Sequence, residues 1–180
     1  MYSDKILELF KNPINAGGLQ GANGVGKYVD NACGDNLKIY LKIDEYGVIC
    51  EARFKALGSA GTIVACSAIC SCLLDCTIDE ARAVDTNRIQ EITGEYPHDK
   101  MYCLDYAVKA VDLAIVDYFE KLEKALKKAE KEGKQLKQDI TSDVSVEQKS
   151  QDIKSDKEQE IVSQRRTVSA AKAAFDAMFE

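Results

Sequence analysis

The fold of this 180-residue chain is indicated by the stretch 38–57, which reads KIYLKIDEYGVICEARFKAL. Polar and apolar residues alternate over 38–43, as expected for a strand with one buried face. The segment Asp44–Gly47 has the composition of a turn, and the apolar residues from Val48 to Leu57 follow it as a second strand. Together these features predict an antiparallel β-hairpin.

Helical patterns lie on both sides of this hairpin. Before it, apolar residues over 6–10 follow the candidate cap Ser3 and predict a short amphipathic helix. After it, a glycine turn leads into a helix from about Thr62 to Leu74, which is apolar on most sides and therefore predicted to be buried. Further helices are predicted after the capping box that begins at Thr77, over 86–93, and from about Cys103 onward. The predicted fold is α+β, with a small antiparallel sheet and helices packed mainly on one face.

Two regions carry no such pattern. Glycines at 17, 18, 21, 24 and 26 predict a mobile loop, and because no Lys-Ser pair ends it, it does not resemble a phosphate-binding loop. From Lys121 the chain becomes charged and loses its apolar stripe. The predicted organisation is a domain over 1–122 and a charged extension over 123–180, disordered or weakly helical over 131–160, with a terminal amphipathic helix bearing Phe175 and Phe179.

Composition excludes several classes of function. The net charge of −6 argues against a general nucleic-acid binder. No apolar run is long enough to predict a membrane span, and the first residues lack the pattern of a secretory signal. Seven cysteines without an export signal predict free thiols in a reducing compartment, the cytoplasm.

Three segments place a candidate ligand at the boundary of a predicted element. Cys33-Gly34-Asp35 precedes the hairpin, Ser59 lies in the turn between strand and helix, and Cys103 lies where the long helix begins. A glycine allows a tight turn, so Cys33 and Asp35 can point at one spot as half of a metal site. Ser59 is interpreted as a helix-capping or turn residue, because no histidine base is near it in the sequence.

These segments, together with Tyr2–Ile6, Asn12-Pro13, Phe54–Gly58 and Lys100–Cys103, resemble the iron–sulfur cluster assembly scaffolds of the IscU/NifU N-terminal type. The resemblance covers roughly residues 2–120. It implies a scaffold and not an enzyme: sulfur arrives from a cysteine desulfurase, iron is bound, and a transient [2Fe–2S] cluster is passed to apo recipient proteins. Carried over by position, the ligands are Cys33, Asp35 and Cys103, and Cys103 is the expected sulfur acceptor.

The chain departs from that family pattern at two ligand positions. Ser59 stands where the family has a second cysteine, and Tyr102 stands where it has a histidine. A serine alkoxide is a poor substitute for a thiolate, so a further ligand is sought at Ser59, Cys66 or His98. The segment before Cys103 matches the family's proline-rich chaperone-recognition segment only at Pro97 and Lys100, which argues against chaperone docking.

Other readings of these residues stay open. A degenerate scaffold homologue acting as an adaptor or regulator of the desulfurase fits the two departures. A zinc-binding protein is a third reading, since two thiolates, a carboxylate and one further ligand suit a tetrahedral zinc ion. The cysteines at 66, 70, 72 and 76 are predicted to pack in the core, with a second metal site as the alternative. Cys50 is predicted to be structural.

Overall fold

The computed structural model describes the backbone of residues 2–142 and the side chains of residues 2–132. The described part of the chain is an α+β fold with one sheet, five α-helices and a short 3-10 helix. In chain order the elements are α1 (Asp4–Lys11), β1 (Gly24–Val29), β2 (Asn36–Ile43), β3 (Ile49–Leu57), α2 (Ala60–Cys72), α3 (Ile78–Arg82), α4 (Thr86–Thr93), the 3-10 helix (His98–Lys100) and α5 (Tyr102–Ser142).

The sheet is antiparallel throughout, in the order β1-β2-β3. The hairpin predicted over 38–57 is confirmed as β2 and β3, with a register irregularity at Lys42/Ile43 next to the turn. Alternate residues of β2 are buried, as its period-two pattern predicts: Leu37, Ile39, Leu41 and Ile43.

One face of the sheet supports the helices. Gly26 pairs with Ile39 and Gly24 with Leu41, so these glycines share the buried face of β2. A Cβ placed on Gly26 would lie 1.9 Å from the Ala110 carbonyl oxygen of α5, so strand and helix touch backbone to backbone. Helix α2 packs on β3 and β2 and is buried along most of its length. The prediction of helices mainly on one face is confirmed.

The glycine-rich region differs from the prediction. Gly24 and Gly26 belong to β1, so the segment 17–26 is not one mobile loop. Its first half is also fastened to the sheet, because Gly17 donates a backbone hydrogen bond to the Phe54 carbonyl (2.7 Å) and Phe54 donates one to Asn15 (3.0 Å). Glycine has a low intrinsic propensity for strands, so β1 is stabilised mainly by its packing against α5. That packing requires residues without a side chain where the two backbones meet.

Helix α5 begins within the compact unit and continues past its last residue. A compact unit of the chain ends at Tyr118, four residues before the boundary predicted at 122. The backbone is helical through Ser142, which covers the first part of the segment predicted as disordered or weakly helical. The predicted terminal amphipathic helix with Phe175 and Phe179 lies outside the described residues. Over the described range, no helix is both long and apolar enough to cross a membrane.

Candidate functional site

Asp35 lies against the N-terminus of α2. Its side chain is 2% exposed. One carboxylate oxygen accepts from the Ser59 backbone N–H at 3.0 Å, and the other accepts from the Thr62 hydroxyl at 2.5 Å. A carboxylate at a helix N-terminus pairs with otherwise unsatisfied N–H groups and with the positive end of the helix dipole. The buried charge of Asp35 is therefore compensated by α2.

Ser59 is the N-cap of α2 and the centre of a hydrogen-bond network, which confirms its interpretation as a capping residue. Its hydroxyl accepts from the Thr62 N–H at 3.3 Å and from the Tyr2 hydroxyl at 3.4 Å. The same oxygen lies 3.4 Å from the Cys103 sulfur. Cys103 has no exposed surface, so Ser59 is the polar neighbour through which this thiol joins the network around Asp35.

Cys33 is held in an exposed turn between β1 and β2. Gly34, at φ +76°, gives the turn its left-handed residue, and its N–H donates to the Asp30 carbonyl at 2.9 Å. The Asp30 N–H donates to the Asp35 carbonyl at 2.8 Å, which closes the loop. The predicted tight turn is confirmed, and it leaves the Cys33 thiol exposed while the Asp35 carboxylate is buried.

Tyr102, which precedes Cys103, belongs to a group of three packed tyrosine rings. The rings of Tyr102 and Tyr106 lie 5.2 Å apart between centroids, and Tyr28 packs on Tyr106 at 4.7 Å. The Lys100 ammonium lies 5.7 Å from the Tyr102 ring. Burial raises the pKa of Tyr102, and the nearby Cys103 thiol raises it further. Its phenol therefore stays protonated near neutral pH and supplies no anionic ligand in this state.

The other candidate ligands differ in their access to the site. Cys66 is fully buried on α2; burial raises the pKa of its thiol, and the neighbouring Cys70, Cys103 and Asp35 raise it further. Cys66 thus lies on the inner side of the site as a neutral thiol. His98 is exposed on the 3-10 helix.

The remaining cysteines separate into three settings. Cys70 is buried in α2, in keeping with the core packing predicted for it. Cys72, the last residue of α2, and Cys76, four residues after it, are half-buried and therefore less enclosed than predicted. The Cys76 thiol donates to the Cys72 carbonyl oxygen at 3.1 Å. Cys50, predicted to be structural, is exposed on β3.

The structure thus brings Asp35, Ser59 and Cys103 into one network and places Cys33 on the adjacent loop. Within the described part of the chain, no three His, Cys, Asp or Glu residues are grouped closely enough to hold a metal ion as they stand. Two hydroxyl groups, those of Ser59 and Thr62, occupy positions between the acidic and the thiol groups.

Sequence reasoning missed several residues of this site. Thr62 follows Ser59 by three residues, the spacing at which an N-cap side chain accepts from a backbone N–H of the first helical turn. This spacing could have identified Thr62 as a partner of Ser59. Gly58 could not have been identified, because its role depends on a neighbour distant in sequence: a Cβ there would lie 2.2 Å from an Asp35 carboxylate oxygen. The pairing of Asp30 with Tyr106, 76 residues apart, has no local signal either.

Comparison with known proteins places this geometry in context. The iron–sulfur cluster assembly scaffold protein IscU 1 of Archaeoglobus fulgidus is 37% identical over 142 residues, which cover 73% of this chain and 92% of that protein. The scaffold protein IscU of Escherichia coli K12 is 34% identical over 125 residues, covering 68% of this chain and 97% of that protein.

A solved structure agrees in fold. It is described as a candidate iron–sulfur cluster assembly scaffold protein for the SUF system of Fervidobacterium islandicum AW-1, and it superposes with a TM-score of 0.54 at 21% identity. The superposition covers 63% of this chain and 95% of that one. The family model described as the NifU-like N terminal domain matches residues 1–125. Over this range, which includes all of the elements around Asp35, Ser59 and Cys103, the chain belongs to the NifU-like N-terminal domain family.

Proposed function

We propose that this protein is an iron–sulfur cluster assembly scaffold: it receives sulfur from a cysteine desulfurase, binds iron, and passes a transient [2Fe–2S] cluster to apo recipient proteins. The observation that supports the proposal is that Asp35 and Cys103 both contact Ser59, the N-cap of α2, while Cys33 lies two residues before Asp35 on the adjacent loop. Relatives that this chain matches over 92% and 97% of their own length bear the name of such scaffolds. The protein then handles the cluster as cargo and turns over no small molecule.

The donor set fits iron in part. Thiolates are the usual ligands of such clusters, and the site offers two thiols and one carboxylate. Cys33 is exposed and can receive a metal directly, whereas Cys103 is enclosed by the Ser59 network and needs that network to open. We assign Cys103 as the sulfur acceptor and expect mixed ligation to make the cluster labile. A labile cluster suits transfer.

A second candidate function is that of an adaptor or regulator that binds the desulfurase without holding a stable cluster. It is favoured by the hydrogen bonds on Ser59 and on both Asp35 oxygens, which stabilise a closed arrangement without metal. Under this proposal the charged extension over 123–180 is the working part. In either case the protein is expected to act in the cytoplasm, where thiols are kept reduced.

Anaerobic reconstitution tests the scaffold proposal. The purified protein is incubated with iron, cysteine, a cysteine desulfurase and a dithiol reductant, which supplies the two electrons that convert each transferred persulfide sulfur to sulfide, and absorbance, iron and sulfide are measured. We expect cluster absorbance that is lost in Cys33→Ala and Cys103→Ala and retained in Cys50→Ala, an exposed thiol on β3 that serves as the matched control. A stable desulfurase complex without any cluster would instead establish the adaptor, and tightly bound zinc would establish a zinc protein.

Ser59→Cys tests whether the missing thiolate limits the cluster. The Ser59 hydroxyl lies 3.4 Å from the Cys103 sulfur, so the substituted thiol enters the same ligand sphere. We expect the reconstituted cluster to survive gel filtration longer in S59C than in the wild type, because thiolate replaces a hydroxyl that iron binds weakly. Ser71→Cys, on the same helix at a half-buried position outside the site, controls for an added thiol. Equal cluster lifetimes in S59C, S71C and the wild type would count against Ser59 as the limiting position.

A further inference from the structure

Asp30 organises the loop that carries Cys33. Its carboxylate accepts from the Ala32 N–H at 2.7 Å, and its carbonyl oxygen accepts from the Gly34 N–H at 2.9 Å. Asp30 therefore bonds to the two residues that flank Cys33, Ala32 and Gly34.

The same carboxylate is tied to the helix that carries Cys103. The Tyr106 hydroxyl donates to the second oxygen of Asp30. Tyr106 follows Cys103 by three residues, so the two side chains stand about one turn apart on α5. The Tyr106 ring is held between those of Tyr28, at 4.7 Å, and Tyr102, at 5.2 Å. A ring fixed on two sides can hold its hydroxyl, and with it the loop, in one place.

We propose that Asp30 and Tyr106 are positioning residues that fasten the Cys33 loop to helix α5 and so fix where Cys33 stands relative to Cys103. The proposal rests on the proposed function for its purpose, since both thiols are assigned there as ligands. Neither residue is assigned as a ligand. Among the described residues, the other hydrogen bonds recorded for this loop lie within the loop or run from Asp35 to the start of α2, so the Tyr106 contact is what joins the loop to α5.

Hydrogen exchange of the full-length protein tests the fastening without any metal. Tyr106→Phe removes only the hydroxyl that bonds Asp30. We expect the amides of 31–35 to exchange about tenfold faster in Y106F, the equivalent of one hydrogen bond to a charged group. Tyr28→Phe removes a hydroxyl from the same group of rings and leaves the Asp30 contact in place, so its loop should exchange as in the wild type. Unchanged exchange in Y106F would overturn the proposal whatever the protein's function.

Cadmium titration tests positioning. Cd²⁺ prefers thiolate ligands, and a Cd²⁺–thiolate bond gives a charge-transfer absorption. The part of this absorption that is lost in Cys33→Ser measures Cd²⁺ binding at Cys33. We expect that part to require about tenfold more Cd²⁺ in Y106F and to be unchanged in Tyr28→Phe. Faster loop exchange with unchanged Cd²⁺ affinity would overturn the positioning role. If the wild type shows no Cys33-dependent signal, the ligand assignment of the proposed function fails, and loop exchange still decides whether the fastening exists.

A double-mutant cycle guards against a general loss of structure. If Tyr106 acts through Asp30, adding Tyr106→Phe to Asp30→Ala should change loop exchange no further. Additive effects of the two substitutions would overturn the pairing. Asp30→Asn keeps an oxygen that can accept from Tyr106 and should give an intermediate exchange rate, a partial rescue that mere damage to the fold would not produce.

Discussion

Among single residues, Gly58 is the most tightly constrained by the site. A Cβ at this position would lie 2.2 Å from an Asp35 carboxylate oxygen and 2.8 Å from the carbon that bears it. Asp35 cannot move aside freely, because both of its oxygens are hydrogen-bonded to the start of α2. The absence of a side chain at Gly58 is thus what lets a buried carboxylate approach the strand-to-helix turn.

Substitution of Gly58 by alanine should therefore destabilise the protein. We expect Gly58→Ala to lower the free energy of unfolding by about 1–3 kcal/mol, the usual cost of forcing an added group into a packed region. Urea denaturation followed by circular dichroism measures it. Lys55→Ala, an exposed change on the preceding strand β3, should leave the midpoint nearly unchanged. Equal midpoints for the two variants would show that the Asp35 carboxylate relocates at little cost.

The bond between Asp30 and Tyr106 predicts a pH dependence. The Tyr106 hydroxyl, followed by the Ala32 N–H, lowers the pKa of Asp30 below its ordinary 3.8. A carboxyl with a lowered folded-state pKa adds stability that is complete above the unfolded pKa and is lost as the pH falls through the folded one. The same bond raises the pKa of Tyr106 above its ordinary 10.0, so that contribution is lost as the pH rises through the raised value.

These two pKa shifts predict how the difference in unfolding free energy between the wild type and Tyr106→Phe depends on pH. We expect it to be constant between about pH 5 and pH 9, and to shrink below the ordinary pKa of Asp30. Urea unfolding at a series of pH values measures it, with Tyr28→Phe as the variant that keeps the bond. A difference that persists unchanged at pH 3 would mean that the hydroxyl acts elsewhere.

The sequence identified those site residues whose role is local. Cys33, Asp35 and Ser59 lie in a turn and a helix cap, and neighbouring residues are enough to predict both features. Residues that depend on partners far along the chain, Gly58 and Tyr106, escaped prediction. Their contacts exist only once β3, the Cys33 loop and α5 have been brought together.

Among elements, β1 and α5 pack backbone to backbone. A Cβ on Gly26 would lie 1.9 Å from the Ala110 carbonyl oxygen and 2.5 Å from the Ala114 nitrogen, so the obstruction is backbone and cannot rotate away. A Cβ added to Gly24 would likewise lie 2.7 Å from the Ala114 carbonyl oxygen of α5. The hairpin and helices α3 and α4 were predictable from period and caps, whereas β1 was not, because its glycines are chosen by this packing.

Substitution within this contact should separate strand and helix. We expect Gly26→Ala to cost about 3 kcal/mol of unfolding free energy, the upper end for overpacking, since backbone atoms on α5 must shift. Lys27→Ala, the exposed neighbour on the same strand, is the control. Thermal unfolding measures both. If the Gly26→Ala and Lys27→Ala variants have equal melting temperatures, β1 must be able to pack on α5 in another position that accommodates the added methyl group.

At the scale of the whole molecule, the site lies where separate elements end. The loop after β1 supplies Cys33 and Asp35, the turn before α2 supplies Ser59, and the start of α5 supplies Cys103. Each group is placed by a different element, so the geometry depends on the packing of the whole domain and not on one motif. Among the described residues, the buried apolar core runs from Ile6 to Ile115, within the compact unit that ends at Tyr118.

This distribution predicts that the charged extension is dispensable for cluster assembly. A chain ending at residue 125, where the family match ends, keeps every buried core residue of the described range. We expect it to unfold cooperatively, with a melting temperature within about 4 °C of that of the full chain. The truncation should lower the free energy of unfolding by less than about 1 kcal/mol. The truncated chain should also form as much cluster in anaerobic reconstitution. A chain ending at residue 112 is the control: it loses the buried Ala114 and Ile115 and should unfold at a markedly lower temperature. If the 125-residue chain folds but forms no cluster, the extension takes part in assembly, and the adaptor proposal gains the working segment it requires.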